Sequence, residues 1–126
     1  MLQIYEKVKC ALRFFGRWEN MDCLLDCKNE TRKHPGRICY IDDATNRWPN
    51  SGEFQGLLLG FNALYYKAMV CFSHIAGWLG KERDEKLYAK KAQVLKESVN
   101  KTFWNEEEGA YYNHMMEDGK PGYCML

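Results

Sequence analysis

The chain has almost no net charge. Eighteen Lys and Arg against 17 Asp and Glu leave +1 across 126 residues. Without a basic excess there is no electrostatic footprint for nucleic acid or for an anionic membrane surface, and neither is expected as a partner. An apolar leader is also missing: Glu6, Lys7 and Lys9 stand where the hydrophobic run of an export signal would lie, so the expected location is cytoplasmic. The sequence has no low-complexity segment, no internal repeat, no Gly-rich phosphate loop and no nucleophile elbow, which removes the common nucleotide-binding and serine-hydrolase signatures. Proline is scarce, three residues, and Pro35-Gly36 and Trp48-Pro49 read as turn or loop signals.

Six cysteines are present, but without an oxidising compartment they are expected to be free thiols, with Cys10 and Cys71 buried inside helical patterns. Cys23, Cys27, His34 and Cys39 put four soft ligands into one loop-like segment. Their spacing, C-x3-C-x6-H-x4-C, is a weak metal candidate that matches no standard zinc pattern. The plainer reading is small core residues plus a solvent histidine, and no metal or cofactor is expected.

What the chain does have is apolar and aromatic mass. Hydrophobic residues make 46% of it and aromatic residues 14%, a content that suits a thick helical core or a carbohydrate-facing cleft. The length fits one domain, residues 1–126. A first helix is expected over 2–16, with Ile4, Val8, Leu12 and Phe15 as its apolar stripe and Gly16 as its cap. Residues 17–53 read as a long loop with short extended pieces near Cys23–Leu25 and Arg37–Ile41.

Residues 54–80 read as a second helix, and this one is apolar nearly all round. Between Gly56 and Gly80 only Lys67 carries a formal charge, while Leu57, Leu58, Leu59, Phe61, Leu64, Tyr65, Met69, Phe72, Ile75 and Trp78 point in most directions. Such a helix is expected to be buried all round, with His74 as a hydrogen-bonded core residue. Lys67, Asn62, Ser73 and His74 near its middle argue against a membrane span. A third helix over 83–103 is amphipathic, with Tyr88, Ala92, Leu95 and Val99 on one stripe. A short strand and an irregular tail fill 104–126. An inner helix followed by an outer one gives an all-α fold class.

The residues of this pair carry a resemblance. Asn62-Ala63-Leu64-Tyr65-Tyr66-Lys67-Ala68, Ala76 to Gly80, Tyr88-Ala89, Val99-Asn100-Lys101, Phe103-Trp104-Asn105-Glu106-Glu107 and Gly109-Ala110-Tyr111-Tyr112 resemble the catalytic domain of the six-hairpin glycosidases. Within them the pattern is most similar to bacterial α-L-rhamnosidases, and it is shared with glycogen-debranching and trehalase-like enzymes. Gly36 to Asp43 looks like the family's turn before an inner helix, with Asp42-Asp43 where the family has Asp-Trp. The resemblance implies an α/α barrel of helical hairpins, of which this chain holds one inner/outer pair and one preceding helix.

That shortage shapes the expected function. Hydrolysis in this class needs two carboxyl groups on opposite sides of the sugar, and the resemblance implies an inverting arrangement. The family's acid and base motifs are absent here, and Arg83-Asp84-Glu85 reads instead as charge placed at a helix N-terminus. The expectation is a fragment of a rhamnosidase-like glycoside hydrolase, inactive alone, with no catalytic residue of its own. Asp42, Asp43, Trp48 and Glu53 are its candidate substrate contacts, since carboxylates bond sugar hydroxyls and an indole stacks on a pyranose face. The alternatives are a non-catalytic carbohydrate-binding or scaffold module, a fragment of a debranching or trehalase-like enzyme, and a zinc-binding interaction domain. An inner helix without its ring neighbours also predicts a homo-oligomer.

Overall fold

The computed structural model describes residues 1–26, 56–116 and 119–122. Three helices dominate them: α1 (Leu2–Gly16), α2 (Leu59–Trp78) and α3 (Glu82–Phe103). Five short strands accompany the helices: β1 (Gly56–Leu58), β2 (Trp104–Asn105), β3 (Ala110–Tyr111), β4 (His114–Met116) and β5 (Pro121–Gly122).

Helices α2 and α3 form a tight antiparallel hairpin. Its turn is set by Gly80 at φ +68°, a left-handed position that costs glycine nothing, and the Lys81 N–H caps Ala76 O at 2.8 Å. Between the helices Met69, Phe72 and Ala76 meet Tyr88, Ala92 and Leu95, all buried. The Ser73 hydroxyl donates to the Glu85 carbonyl across this seam at 2.8 Å, so its burial leaves no unpaired group. Gly77 makes room for the Glu85 side chain (a Cβ there would lie 2.7 Å from Oε1).

Helix α1 lies along this hairpin. Tyr5 stacks on Phe72 at 4.7 Å near one end, and Phe15 meets Phe61 edge-on at 6.1 Å near the other, so α1 runs antiparallel to α2. Tyr5 also reaches Asp84, early in α3, while Glu19, just past α1, reaches Lys91 further along it. Helix α1 is therefore parallel to α3. One inner helix flanked by two outer helices that share a direction is what successive hairpins of an α/α ring provide.

Several boundaries and burials differ from the sequence reading, each for a physical reason. The second helix starts at Leu59, not at 54, because residues 56–58 pair as β1 with β4, in the register Gly56↔Met116 and Leu58↔His114. Strand β4 also pairs with β5, which gives the expected irregular tail a defined three-stranded sheet. On α1 the inward face is Tyr5 and Leu12, while Ile4 and Val8 are exposed. Tyr5 displaces the aliphatic pair because it offers both a ring for Phe72 and a hydroxyl for Asp84.

The largest difference concerns α2. Tyr65, Met69, Phe72 and Ala76 are buried, but Leu64 is 56% exposed and Trp78 82% exposed. His74 and Cys71 are also exposed, as is Cys10 on α1, against the expectation that all three are buried. The positions Leu64, Ala68, Cys71 and Trp78 share one helical stripe that neither α1 nor α3 covers. The third helix keeps the expected stripe, with Val99 half-buried at its end.

Candidate functional site

The four candidate substrate contacts, Asp42, Asp43, Trp48 and Glu53, lie outside the described residues, as do Cys27, His34 and Cys39. Of the proposed soft-ligand set only Cys23 is described. It is a half-buried free thiol at φ +62°, in a turn closed by Asn20, whose side-chain oxygen accepts from the backbone N–H groups of Asp22 and Leu24 at 2.9 and 3.0 Å. Among the described residues no three His, Cys, Asp or Glu side chains come together as a metal site. Also among them, no helix is long and apolar enough to cross a membrane.

The structure does define how the 27–55 segment is rooted. Asp26 bridges Leu57 on one side of the segment, and Glu19 bridges Leu25 just before it. The fastening is Asn62, fully buried in the first turns of α2. Its side-chain oxygen accepts from Leu25 N at 2.7 Å, and its amide donates to Leu25 O at 3.1 Å and Leu58 O at 3.0 Å. One side chain thus answers three backbone groups. Both chain ends entering the segment are held at the N-terminal end of α2. His114, opposite Leu58 in the same sheet, is partly buried, and that desolvation holds its imidazole below its usual pKa.

Carboxylates are the groups a glycosidase would use, so their surroundings matter. Asp84 is buried, accepts from Lys9 Nζ at 2.6 Å and from the Tyr5 hydroxyl at 2.5 Å, and is held below the usual carboxylate range chiefly by those two hydrogen bonds. A carboxylate so paired stays ionised and has no proton to give near neutrality. Reading Arg83-Asp84-Glu85 as simple N-terminal charge placement therefore misses that Asp84 ties α1 to α3. Burial, with the Asp84 bond second, pushes the Tyr5 phenol up. Glu19 accepts from the Tyr65 hydroxyl at 2.7 Å and lies 3.6 Å from Lys91 Nζ; burial first and this bond second also raise the Tyr65 pKa. Both carboxylates hold helices together.

The cleft on the uncovered flank of the hairpin, lined by Tyr66, Val70, Ser73, His74, Ala89 and Gln93, measures about 140 Å³. Pockets for small molecules commonly run to about 300–1,000 Å³. At this size the cleft is a groove between two helices.

The α2–α3 hairpin and the short strands that follow it lie in the part of the chain that a family comparison identifies. The family model for trehalase matches residues 58–123, just over half of the sequence. The chain belongs to the trehalase family. The resemblance to six-hairpin glycosidases read from residues 62–112 is thereby upheld. A GH78 family rhamnosidase of Bacillus sp. GL1 shares the fold, with a TM-score of 0.73 and 22% identity over 95% of this chain. The matched region is 11% of that protein's length, so the chain spans a small part of it. No curated protein matches the sequence.

Asn62, Asp84, Tyr5 and Glu19 escaped the sequence reading as working residues. An asparagine at the start of an apolar helix was the available signal for the first. The others pair across 46–79 residues of sequence, which no local pattern reveals.

Proposed function

We propose that this chain is a sector of a six-hairpin glycoside hydrolase, supplying an inner helix and its two outer neighbours, and that it does not hydrolyse glycosides by itself. The observation that carries this reading is the direction of the three helices: α2 antiparallel to both α1 and α3, which are parallel to each other. The family match over 58–123 supports a glycosidase parent, and a carbohydrate is the substrate class. In this reading Asp42, Asp43, Trp48 and Glu53 face the sugar, supported by their chemistry and by the rooting of their segment at the N-terminal end of α2. The open stripe of α2 supports self-association of the isolated chain through its exposed Leu64 and Trp78.

Two described carboxylates, Asp84 and Glu19, are each engaged by a tyrosine hydroxyl and a lysine. The test is a release assay with aryl α-L-rhamnoside and with trehalose on the purified 126-residue chain. The expected result is no product above a blank, and turnover of either sugar overturns the proposal.

A further inference from the structure

The chain leaves α3 through a small hairpin, β2 paired with β3, in which Trp104 stands directly opposite Tyr111. Both rings are partly in solvent, at 41% and 42% exposure, yet neither is loose. Their centroids are 4.9 Å apart with planes at 66°, an edge-to-face contact that forms an open wedge. The indole N–H donates to the Glu106 carboxylate, and the Tyr111 hydroxyl donates to Asn100 Oδ1 at 2.7 Å. The turn is tied by Glu107 N to Asn105 Oδ1 at 3.0 Å, and Gly109 at φ +60° closes it. Below the hairpin, fully buried Phe103 accepts from Tyr112 N at 2.8 Å.

Two consequences follow. The N–H and O–H donors of both rings are already used, so what they chiefly offer solvent is flat π surface. That surface is set in place before any ligand arrives, which lowers the ordering cost of binding. The turn of this hairpin carries Glu106, Glu107 and Glu108, all exposed. Three glutamates repel phosphates and uronates. Two rings at 66° do not enclose a cation as an aromatic cage does. A ligand with an apolar flat face and a rim of hydroxyl donors fits both parts: its C–H face lies on the indole and its hydroxyls donate to the carboxylates.

We propose that the Trp104–Tyr111 wedge with Glu107 and Glu108 is a surface site for a neutral pyranoside. The site needs no catalysis. It rests on the glycosidase reading only for the choice of probe sugars.

Saturation-transfer NMR and calorimetric titration of the full chain with methyl α-L-rhamnoside, trehalose and maltoheptaose test it, with galacturonate and tetramethylammonium as charged comparisons. Binding of at least one neutral sugar is expected. Loss of the stacking ring in Trp104→Ala should weaken it about tenfold, while Trp104→Phe and Trp78→Ala bind nearly as the parent does. Glu107→Gln, which leaves the rings in place, should weaken binding less than Trp104→Ala. Failure of every neutral sugar to bind, tighter binding of either ion, or binding lost in Trp78→Ala and kept in Trp104→Ala overturns the site. Since no arm measures hydrolysis, these results are independent of whether the chain has glycosidase activity.

Discussion

Two sides of one helix differ more than any two elements of this molecule. On the side of α2 that faces α1 and α3, Asn62, Tyr65, Met69, Phe72, Ser73 and Ala76 are all buried, and each polar group among them is bonded. On the opposite side Leu64, Ala68, Cys71 and Trp78 meet solvent, although their composition is no more polar. The difference shows that apolar content records how many neighbours a helix is built for, while burial records how many it has.

The sharpest way to break that comparison is to truncate one residue on each side. Phe72→Ala empties a fully buried site between Tyr5 and Tyr88, and should cost about 3–5 kcal/mol in urea unfolding. Leu64→Ala should stay within about 0.5 kcal/mol. Equal costs would mean the two sides are equally packed.

Next in size is the Asp84 tie. Asp84→Ala should destabilise by about 2–3 kcal/mol by stranding the Tyr5 hydroxyl and Lys9, whereas exposed Glu82→Ala, in the same turn of α3, should change little. The tie also sets an acid limb. Because the folded carboxyl titrates below its usual 3.8, its contribution is complete above that value and is lost as pH falls through the lower folded one. Chemical denaturation across that range should show the limb in the parent and a flatter one in Asp84→Asn.

Asn62→Ala comes third, at about 1–3 kcal/mol, since three backbone groups lose their partner. Amide exchange should report it locally, with Leu25 N–H losing protection before the amides of α3.

The smallest effect is that of His114. Burial lowers its folded pKa below 6.5, so the unfolded chain binds the proton more readily. Stability should fall as pH drops through 6.5 and level off below the folded value. His114→Gln should remove that slope while leaving the rest of the profile alone.

Much of the fold was legible because its signals are local. Helix α1 ends at Gly16 as expected, although its cap is Arg17 in the right-handed region and not the glycine; α2 turns at Gly80, as a glycine cap indicates, and the Tyr88-Ala92-Leu95 stripe of α3 faces inward as its spacing requires. The start of α2 was misread because Gly56–Leu58 is apolar enough for a helix turn, and only the distant β4 makes it a strand. Ile4 and Val8 have the same 3.6 period as Leu12, so periodicity could not tell that Tyr5 wins the inward position through Phe72 and Asp84. His74 and Cys71 were misplaced for a related reason: an all-round apolar helix predicts cover on every side, and α1 and α3 leave one stripe open. The family was legible from the pair of helices and the aromatic hairpin after them. The candidate sugar contacts at 42, 43, 48 and 53 rest on residue chemistry alone.

Thiol labelling at two neighbouring positions of α2 tests the two-sided account most directly. In chains stripped of other cysteines, a single thiol is placed either at native Cys71 or at Met69→Cys, and its reaction with a small disulfide reagent is followed in dilute native protein. The account predicts that Cys71 reacts at the rate of a free thiol, while the thiol at 69 reacts only through unfolding. Protection of both would mean that α2 is covered all round, and rapid reaction of both would mean that it has no fixed inner face.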